Sequence, residues 1–281
     1  MEFYINDKKK AECFSVIFQN TKDFSDHTVM YFDENGLFMQ GMNNSHVCLY
    51  ELRIPSEWFH KYNYTSSMEK LLLGINNETV YKIINTKQEE HSIYFKYTDD
   101  ADHMEINFKK NTEEKKDSKD SKDSKDSKDS KTLVLDKYYQ IKLIDLEENL
   151  LEIPETEYNV DIMIPTKSFA DIIQELTIFH TDLKIICTDE KIDLIANGNN
   201  ATMKANIDID DLNEYAIEED YEYKQNYSLE FMKLMTQFSK LSNEIFIGFS
   251  DSTPMKVEYK FQEGVISLYL APKIEDDELD E

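Results

Sequence analysis

The sequence has little of what the common enzyme classes need. Its six glycines are scattered, and none falls in GxGxxG or GxxxxGK[ST], the loops that cradle dinucleotides and nucleoside triphosphates. Its six histidines include no HExxH and no i, i+4 pair that would hold zinc on a helix. Three cysteines, Cys13, Cys48 and Cys187, are odd in number, far apart and without CxxC spacing. They read as small core residues in a reducing intracellular compartment, not as a disulfide framework. No apolar run nears the roughly 18 residues of a membrane span. The opening MEFYINDKKK has no apolar signal-peptide core, so no membrane partner is expected. Of 31 basic residues only Arg53 is arginine, a bias that reflects AT-rich coding more than mechanism.

What is abundant is acid: 57 Asp and Glu against 31 Lys and Arg, a net charge of −26. A hydrophobic content of 40% with 12% aromatics still marks a globular chain. Its 281 residues are enough for one large or two ordinary domains. Overall acidity argues against nucleic acid, with one loophole. Field depends on where charges sit, and a few lysines on one face can outweigh the total.

One tract interrupts the globular pattern, EEKKDSKDSKDSKDSKDSKTL at residues 113–133. It repeats Asp-Ser-Lys, contains almost nothing apolar and nearly cancels its own charge, so it reads as a solvated insertion. Apolar alternation resumes on both sides, in HMEINF and in TLVLDKYYQIKLIDL, as in a hairpin with a lengthened turn. Short alternating strands dominate elsewhere, among them EIFIGF, MKVEYKF and VISLYLAP. Four segments show apolar residues at i, i+3, i+4 and i+7 and are read as helices. They are Phe14/Ile17/Phe18 with Thr21, Met68/Leu71/Leu72/Ile75, Phe169/Ile172/Ile173/Leu176 and Phe231/Leu234/Met235/Phe238. Two precede the repeat tract and two come after it, so the chain reads as α+β in two similar halves, helices laid on antiparallel sheet.

Two acidic clusters are candidate metal sites. Asp99, Asp100, Asp102 and His103 in YTDDADHME read as an Asx-rich turn between strands. Asp208, Asp210 and Asp211 in NIDIDDLNEY resemble a two-metal phosphoryl-transfer set, but as strand residues Asp208 and Asp210 are equally a solvated edge. No catalytic residue, metal site or cofactor is assigned, and no enzyme activity is expected. A metal-dependent nucleic-acid enzyme built on Asp208–Asp211 stays as the alternative from another class.

Three stretches point to a family. GLFMQGMNNSHVCLYEL, YQIKLIDLEENLLEIPETEY and PMKVEYKFQEGVISLYLAPKIEDDE closely resemble the eukaryotic-type sliding clamp, the proliferating cell nuclear antigen (PCNA) family, over nearly the whole chain. The resemblance implies two similar clamp domains per subunit, with antiparallel sheets outside and two helices per domain lining a pore. It further implies a ring of three subunits around double-stranded DNA. Residues 1–137 would be the N-terminal clamp domain with insertion 113–131, and 138–157 the interdomain linker. Residues 158–272 would be the C-terminal clamp domain and 273–281 an acidic tail.

The family's pocket for partner peptides (the PIP-box pocket) carries over onto Met42, His46, Val47 and Leu49. It continues onto Ile144, Leu146, Leu151, Ile153 and Pro154 of the linker, and onto Pro254, Tyr269, Ala271 and Pro272. Tyr139 matches a subunit-interface position. Implied partners are DNA polymerase, clamp loader, nuclease and ligase, in the nucleus or, alternatively, at a viral replication site. The segment LRIPSEWFHKYNYTSSMEK is shorter than the family's usual strand pair there, and the repeat tract is an insertion beside the interface strand.

Positions opposite the buried stripe of each helical template would face DNA. They are Val16, Gln19, Asp23; Lys70, Leu73, Asn77; Asp171, Gln174, Ile178; and Lys233, Thr236, Lys240. Lys22, Lys70, Lys233 and Lys240 are the DNA-facing candidates, with Lys8, Lys9, Lys10, Lys167 and Lys184 near helix ends. The sequence leaves open a clamp-fold subunit of a heteromeric checkpoint-type ring, or a monomeric processivity factor.

Overall fold

Alternation of buried and half-exposed side chains along His103–Lys110 and Asp182–Cys187 makes each a strand with one face on the core. The computed structural model describes residues 1–111, 133–146, 150–154 and 156–274. The first half runs β1 (Glu2–Ile5), α1 (Lys8–Thr21), β2 (His27–Asp33), β3 (Gly36–Met42), β4 (Cys48–Pro55), β5 (Lys61–Asn63) and β6 (Leu71–Asn76). It continues with α2 (Asn77–Ile84), β7 (His91–Lys96), β8 (His103–Lys110) and β9 (Lys137–Lys142). The second half runs β10 (Val160–Pro165), α3 (Thr166–Leu176), β11 (Asp182–Cys187), β12 (Lys191–Asn197), β13 (Thr202–Asp208), β14 (Glu214–Ile217) and β15 (Tyr223–Ser228). It closes with α4 (Leu229–Thr236), β16 (Glu244–Phe249), β17 (Met255–Phe261) and β18 (Gly264–Leu270).

The two halves share one topology. Strands order β5-β1-β7-β8-β9 and β4-β3-β2-β6 in the first, β14-β10-β16-β17-β18 and β13-β12-β11-β15 in the second. Adding nine to each first-half label gives the second half. The halves meet where β18 pairs antiparallel with β4, Leu268 opposite Tyr50 and Leu270 opposite Cys48, producing a nine-stranded sheet.

The helices form one layer. Asp7 caps α1 by accepting from the Lys10 amide at 2.8 Å, and Asn76 caps α2 by accepting from the Thr79 amide at 2.9 Å. Helix α1 packs on α2 and α3 on α4. The pairs meet where Asn20 Nδ2 donates to the Gln237 carbonyl at 3.0 Å. There Phe24 lies against Phe238 and Tyr50, ring centroids 5.9 and 5.3 Å away.

Three of the four helical templates fall on helices, at α1, α3 and α4. The Met68/Leu71/Leu72/Ile75 template does not: Leu71–Asn76 is strand β6, and the helix is the next segment. The run Leu71-Leu72-Leu73-Gly74-Ile75 satisfies both periods. Gly74 disfavours helix, and Asn76 supplies the cap that starts one. The shortened segment after β4 keeps a three-residue strand, β5, paired with β1.

Strand β9 pairs with β8, Ile106 opposite Tyr139, so the first sheet extends to Lys142 within the range read as linker. The Asp-Ser-Lys repeat lies outside the described residues, but its flanks are held. The Asn111 amide donates to the Glu90 carbonyl at 2.8 Å, and the Lys110 amide to Asp136 Oδ1 at 3.0 Å. The buried His91 accepts from the Gln88 amide on Nδ1 (3.0 Å), so its Nε2–H donates to the Leu135 carbonyl at 2.9 Å. Burial lowers the His91 pKa and keeps this neutral tautomer. Cys48 and Cys187 are buried, and burial pushes both thiols up to about 12, which suits inert core residues.

Because the flanks are held by backbone and by His91, removing residues 114–130 is expected to leave the fold intact. Stability should rise or stay level by no more than about 1–2 kcal/mol, the closure term for a shorter loop. Thermal unfolding of the deletion variant checks this; a large loss would mean that the tract contributes packing.

Candidate functional site

An apolar row crosses the junction of the two halves. Met42 stands opposite Leu49 across β3–β4, and Leu49 opposite Tyr269 across β4–β18. Cross-strand neighbours on one face touch, so the row is continuous. At its end the loop between β3 and β4 is folded around Asn43. This buried side chain accepts from the amides of Val47 and Cys48, both at 3.0 Å, and donates to Ser45 at 2.8 Å. The loop places His46 in the left-handed region at φ 58°. The Ala271 amide donates to the Val47 carbonyl at 2.9 Å, which ties the loop to the end of β18.

The linker crosses above this row. It starts where the Ile144 amide donates to the Gly74 carbonyl at 2.9 Å, and a Cβ on Gly74 would run into the Ile144 carbonyl. It ends where the Asn159 amide donates to the Phe249 carbonyl at 2.9 Å. There the Tyr158 ring covers Gly248 so closely that any side chain on Gly248 would collide with it.

Between sheet and linker lies a groove of about 320 Å³. Of the expected pocket residues, the structure brings together Met42, His46, Val47, Leu49, Leu151, Ile153, Pro154, Pro254, Tyr269 and Ala271. Ile144 and Leu146 stand apart from it, at the Gly74 start of the linker, and Pro272 comes after Ala271, outside the lining. Sequence reasoning missed Glu152, Thr156, Tyr158 and Thr253, which also line the groove. Burial raises the hydroxyl pKa of Tyr269 and pushes that of Tyr158 up to about 12, so both phenols stay neutral donors. Leu151 remains 48% exposed. The surface is therefore an open apolar slot, suited to an aromatic or aliphatic plug.

The helix layer divides the lysine candidates. Lys233 and Lys240 are exposed, on α4 and just after it. Lys22 is half-buried, pairs with Asp23 and lies over the Tyr81 ring at 4.9 Å. Lys70 is on no helix: it precedes β6 and lines a cleft with Arg53 and Leu151, so the ground for its DNA-facing role falls with the misread template. Val16, Leu73, Asn77 and Thr236, expected on the solvent face, are buried. Exposed charges on the four helices are Lys8, Lys9, Lys82, Lys167 and Lys233 against Glu12, Glu78, Asp171, Glu175 and Glu230. That layer is balanced in a chain of net charge −26.

Tyr139 lies half-buried on β9, its hydroxyl 2.6 Å from Thr86 Oγ1 and its ring edge-on to Phe108. The acidic clusters have structural roles. Asp99 and Asp100 form the turn between β7 and β8, with Asp100 at φ 65°, and Asp102 pairs with His103 at 2.8 Å. Asp210 is not on a strand: β13 ends at Asp208, whose carboxylate accepts from the Asp210 amide at 3.0 Å and caps a short 3-10 turn. Among the described residues no group of three or more His, Cys, Asp or Glu could hold a metal ion.

Comparison with known proteins agrees with this geometry. Residues 6–154 match the family described as "Proliferating cell nuclear antigen, N-terminal domain", and residues 152–274 match "Proliferating cell nuclear antigen, C-terminal domain". The chain is 26% identical over 262 residues to "Proliferating cell nuclear antigen 2" of Drosophila melanogaster, covering 93% of this chain and 91% of that protein.

Proposed function

The chain belongs to the proliferating cell nuclear antigen family, and on that premise we propose that it is a DNA sliding clamp. Three copies close a ring around duplex DNA, and the groove tethers polymerase, clamp loader, nuclease and ligase through short hydrophobic peptides. The ring works without catalysis of its own, in the nucleus.

One observation carries the reading: the duplication is complete except at two strand edges. Strands β5, β6, β14 and β15 are sheet edges in both halves. In contrast β18 and β4 pair with each other, while their counterparts β9 and β13 are open. An open β9 and an open β13 on one chain cannot close on each other if both halves keep the same geometry. They can pair between copies, which repeats the β18–β4 junction and leads to a closed ring. Three copies is the number that the family resemblance implies.

The internal repeat also supplies a register. Leu268 faces Tyr50 in the junction. Their counterparts, from the matching strand pairs, are Tyr139 and Met203. Both are half-buried against the core and lack the cover that the junction gives Leu268 and Tyr50. Exposed apolar side chains gather at the same edges. Leu133, Leu135 and Tyr138 (66% exposed) lie on or before β9, and Ile178 (75%) and Phe179 precede β11 beside the turn that enters β13. Phe179 is the counterpart of Phe24, which packs across the junction.

Light scattering should give three times the chain mass of 33.2 kDa for the wild type. Met203→Asp, which puts a charge opposite Tyr139 of a neighbouring copy, should give single chains that stay folded by circular dichroism. A wild type that stays a single chain at replication-like concentrations would favour the monomeric clamp-fold reading. One that assembles only with a second protein would favour the heteromeric ring.

In such a ring the helix layer faces DNA, and Lys167, Lys233 and Lys240 are exposed cations on it. Reversing all three to Glu should lower stimulation of a polymerase at least tenfold while leaving mass and peptide binding unchanged. Full stimulation by that variant would remove the helices from the DNA path.

Peptides carrying Gln, an aliphatic anchor and paired aromatics should bind the groove at micromolar strength, about 8 kcal/mol. Leu151→Asp with Ile153→Asp forces the plug to desolvate two carboxylates and should abolish binding. Undiminished affinity by calorimetry would displace the peptide site from the groove.

A further inference from the structure

We propose that Gln40 is a positioning residue for the groove, holding the linker at the height at which partner peptides fit. The inference rests on the peptide-binding reading of the groove. Gln40 stands on the outer face of β3, and its amide treats Leu151 as a neighbouring strand would. Its Nε2 donates to the Leu151 carbonyl at 2.9 Å, and its Oε1 accepts from the Leu151 amide at 2.8 Å. A primary amide is the side chain that offers donor and acceptor side by side, so one residue satisfies both backbone groups of another. The second Nε2 proton is directed to Glu51 Oε1 at 3.1 Å, which fixes the amide's rotation.

The linker is also tied at its two ends. Its start is tied by Ile144 to Gly74 and its end by Asn159 to Phe249. Among the described residues between them, only Leu151 is hydrogen-bonded to the sheet below. Packing does not fix the height either, because open space lies on both sides. One side is the groove of about 320 Å³, the other a cleft of about 870 Å³ lined by Phe38, Arg53 and Lys70, and both share Leu151, Glu152, Ile153 and Pro154. A strand of linker between two clefts can lean into either. Leaning toward the groove closes it, and leaning away removes one of its walls.

The sheet itself does not require glutamine here. The counterpart of Gln40 in the second half is Ile195, which pairs with Lys204 as Gln40 pairs with Glu51, so an apolar side chain serves the ladder equally at this place.

The test compares full-length wild type with Gln40→Ala and Gln40→Glu. Glutamate keeps the size and the acceptor but loses the donor to Leu151 and faces Glu51. Both variants should keep the wild-type mass and unfolding temperature. In Gln40→Ala, exchange of the Leu151 amide should accelerate at least tenfold, read by hydrogen exchange on the free protein; in Gln40→Glu, which keeps an acceptor for that amide, it should accelerate less. Affinity for a Gln-aliphatic-aromatic peptide should fall about tenfold in Gln40→Ala and by less in Gln40→Glu, mainly in the association rate, because only the fraction with a raised linker accepts the plug. Unchanged Leu151 exchange in Gln40→Ala, or faster exchange there with unchanged peptide affinity, overturns the proposal. A wild type that binds no such peptide while Gln40→Ala still speeds Leu151 exchange counts against the groove reading instead, since the clasp then exists without that ligand.

Discussion

The antiparallel pairing of β18 with β4 is the constraint on which the rest of the structure depends. It runs from Val265 opposite Arg53 to Leu270 opposite Cys48 and turns two sheets into one. Beneath it Cys48, Tyr50, Leu52, Ile266, Leu268 and Leu270 are all buried. Side chains of this size contribute roughly 1.5–3 kcal/mol each on burial, so the halves share a core and are not two domains lightly docked. The pairing brings the ends of α1 and α4 within hydrogen-bond reach at Asn20 and Gln237, and it sets Leu49 beside Tyr269. The helix layer and the groove are two consequences of one ladder, on its opposite faces.

An apolar slot that stays open in water needs a frame that resists collapse. Here the frame is polar and local. Asn43 folds the β3–β4 loop with hydrogen bonds that the loop's own backbone could not otherwise make, which lets Val47 and His46 stand as a wall. Gly74 and Gly248 contribute by lacking side chains. The first admits the Ile144 carbonyl to the sheet, the second seats the Tyr158 ring flat on it. Each small residue lowers one end of the linker onto the sheet, so that the apolar side chains between the ends are left spanning a gap. The exposed Leu151 is the cost of that geometry, and it is acceptable where a partner covers it.

The sequence reveals strands and helices where one period dominates, as in Phe169/Ile172/Ile173/Leu176, which is α3. It is ambiguous where every residue in a run is apolar. Leu71–Ile75 fits both periods, and only its surroundings, Gly74 within and Asn76 after, decide for strand. That single error displaced Lys70 from a cleft wall onto a helix face. Asp210 shows the same weakness at a boundary: alternation suggests strand, whereas the Asp208 carboxylate ends the strand by capping the 3-10 turn beyond it. The groove was legible as a set because its apolar members lie in three recognisable stretches. Its supports were not. Asn43, Gln40 and Tyr158 act through hydrogen bonds and ring packing to partners distant in sequence, and a polar residue in a loop or on a strand's outer face looks like any solvated one.

Charge distribution then bears on how a ring of this kind, as proposed, would treat DNA. The chain carries 57 acidic residues, yet the exposed helix charges balance, so the excess of acid lies on the other surfaces. At physiological salt the screening length is about 8 Å, so the outer carboxylates act mainly on what comes close to them in solvent. Duplex approaching the outside would meet the repulsion of those carboxylates at short range, while duplex beside the helices would meet a nearly neutral wall with isolated lysines. A strongly basic wall would bind phosphate tightly and resist movement along it, since each contact displaces counterions that must return when it breaks. A balanced wall gives little affinity and little friction. Such a protein could not stay on DNA by binding it. It would have to surround it, and the two open strand edges that mirror the closed junction are the means the fold offers for doing so.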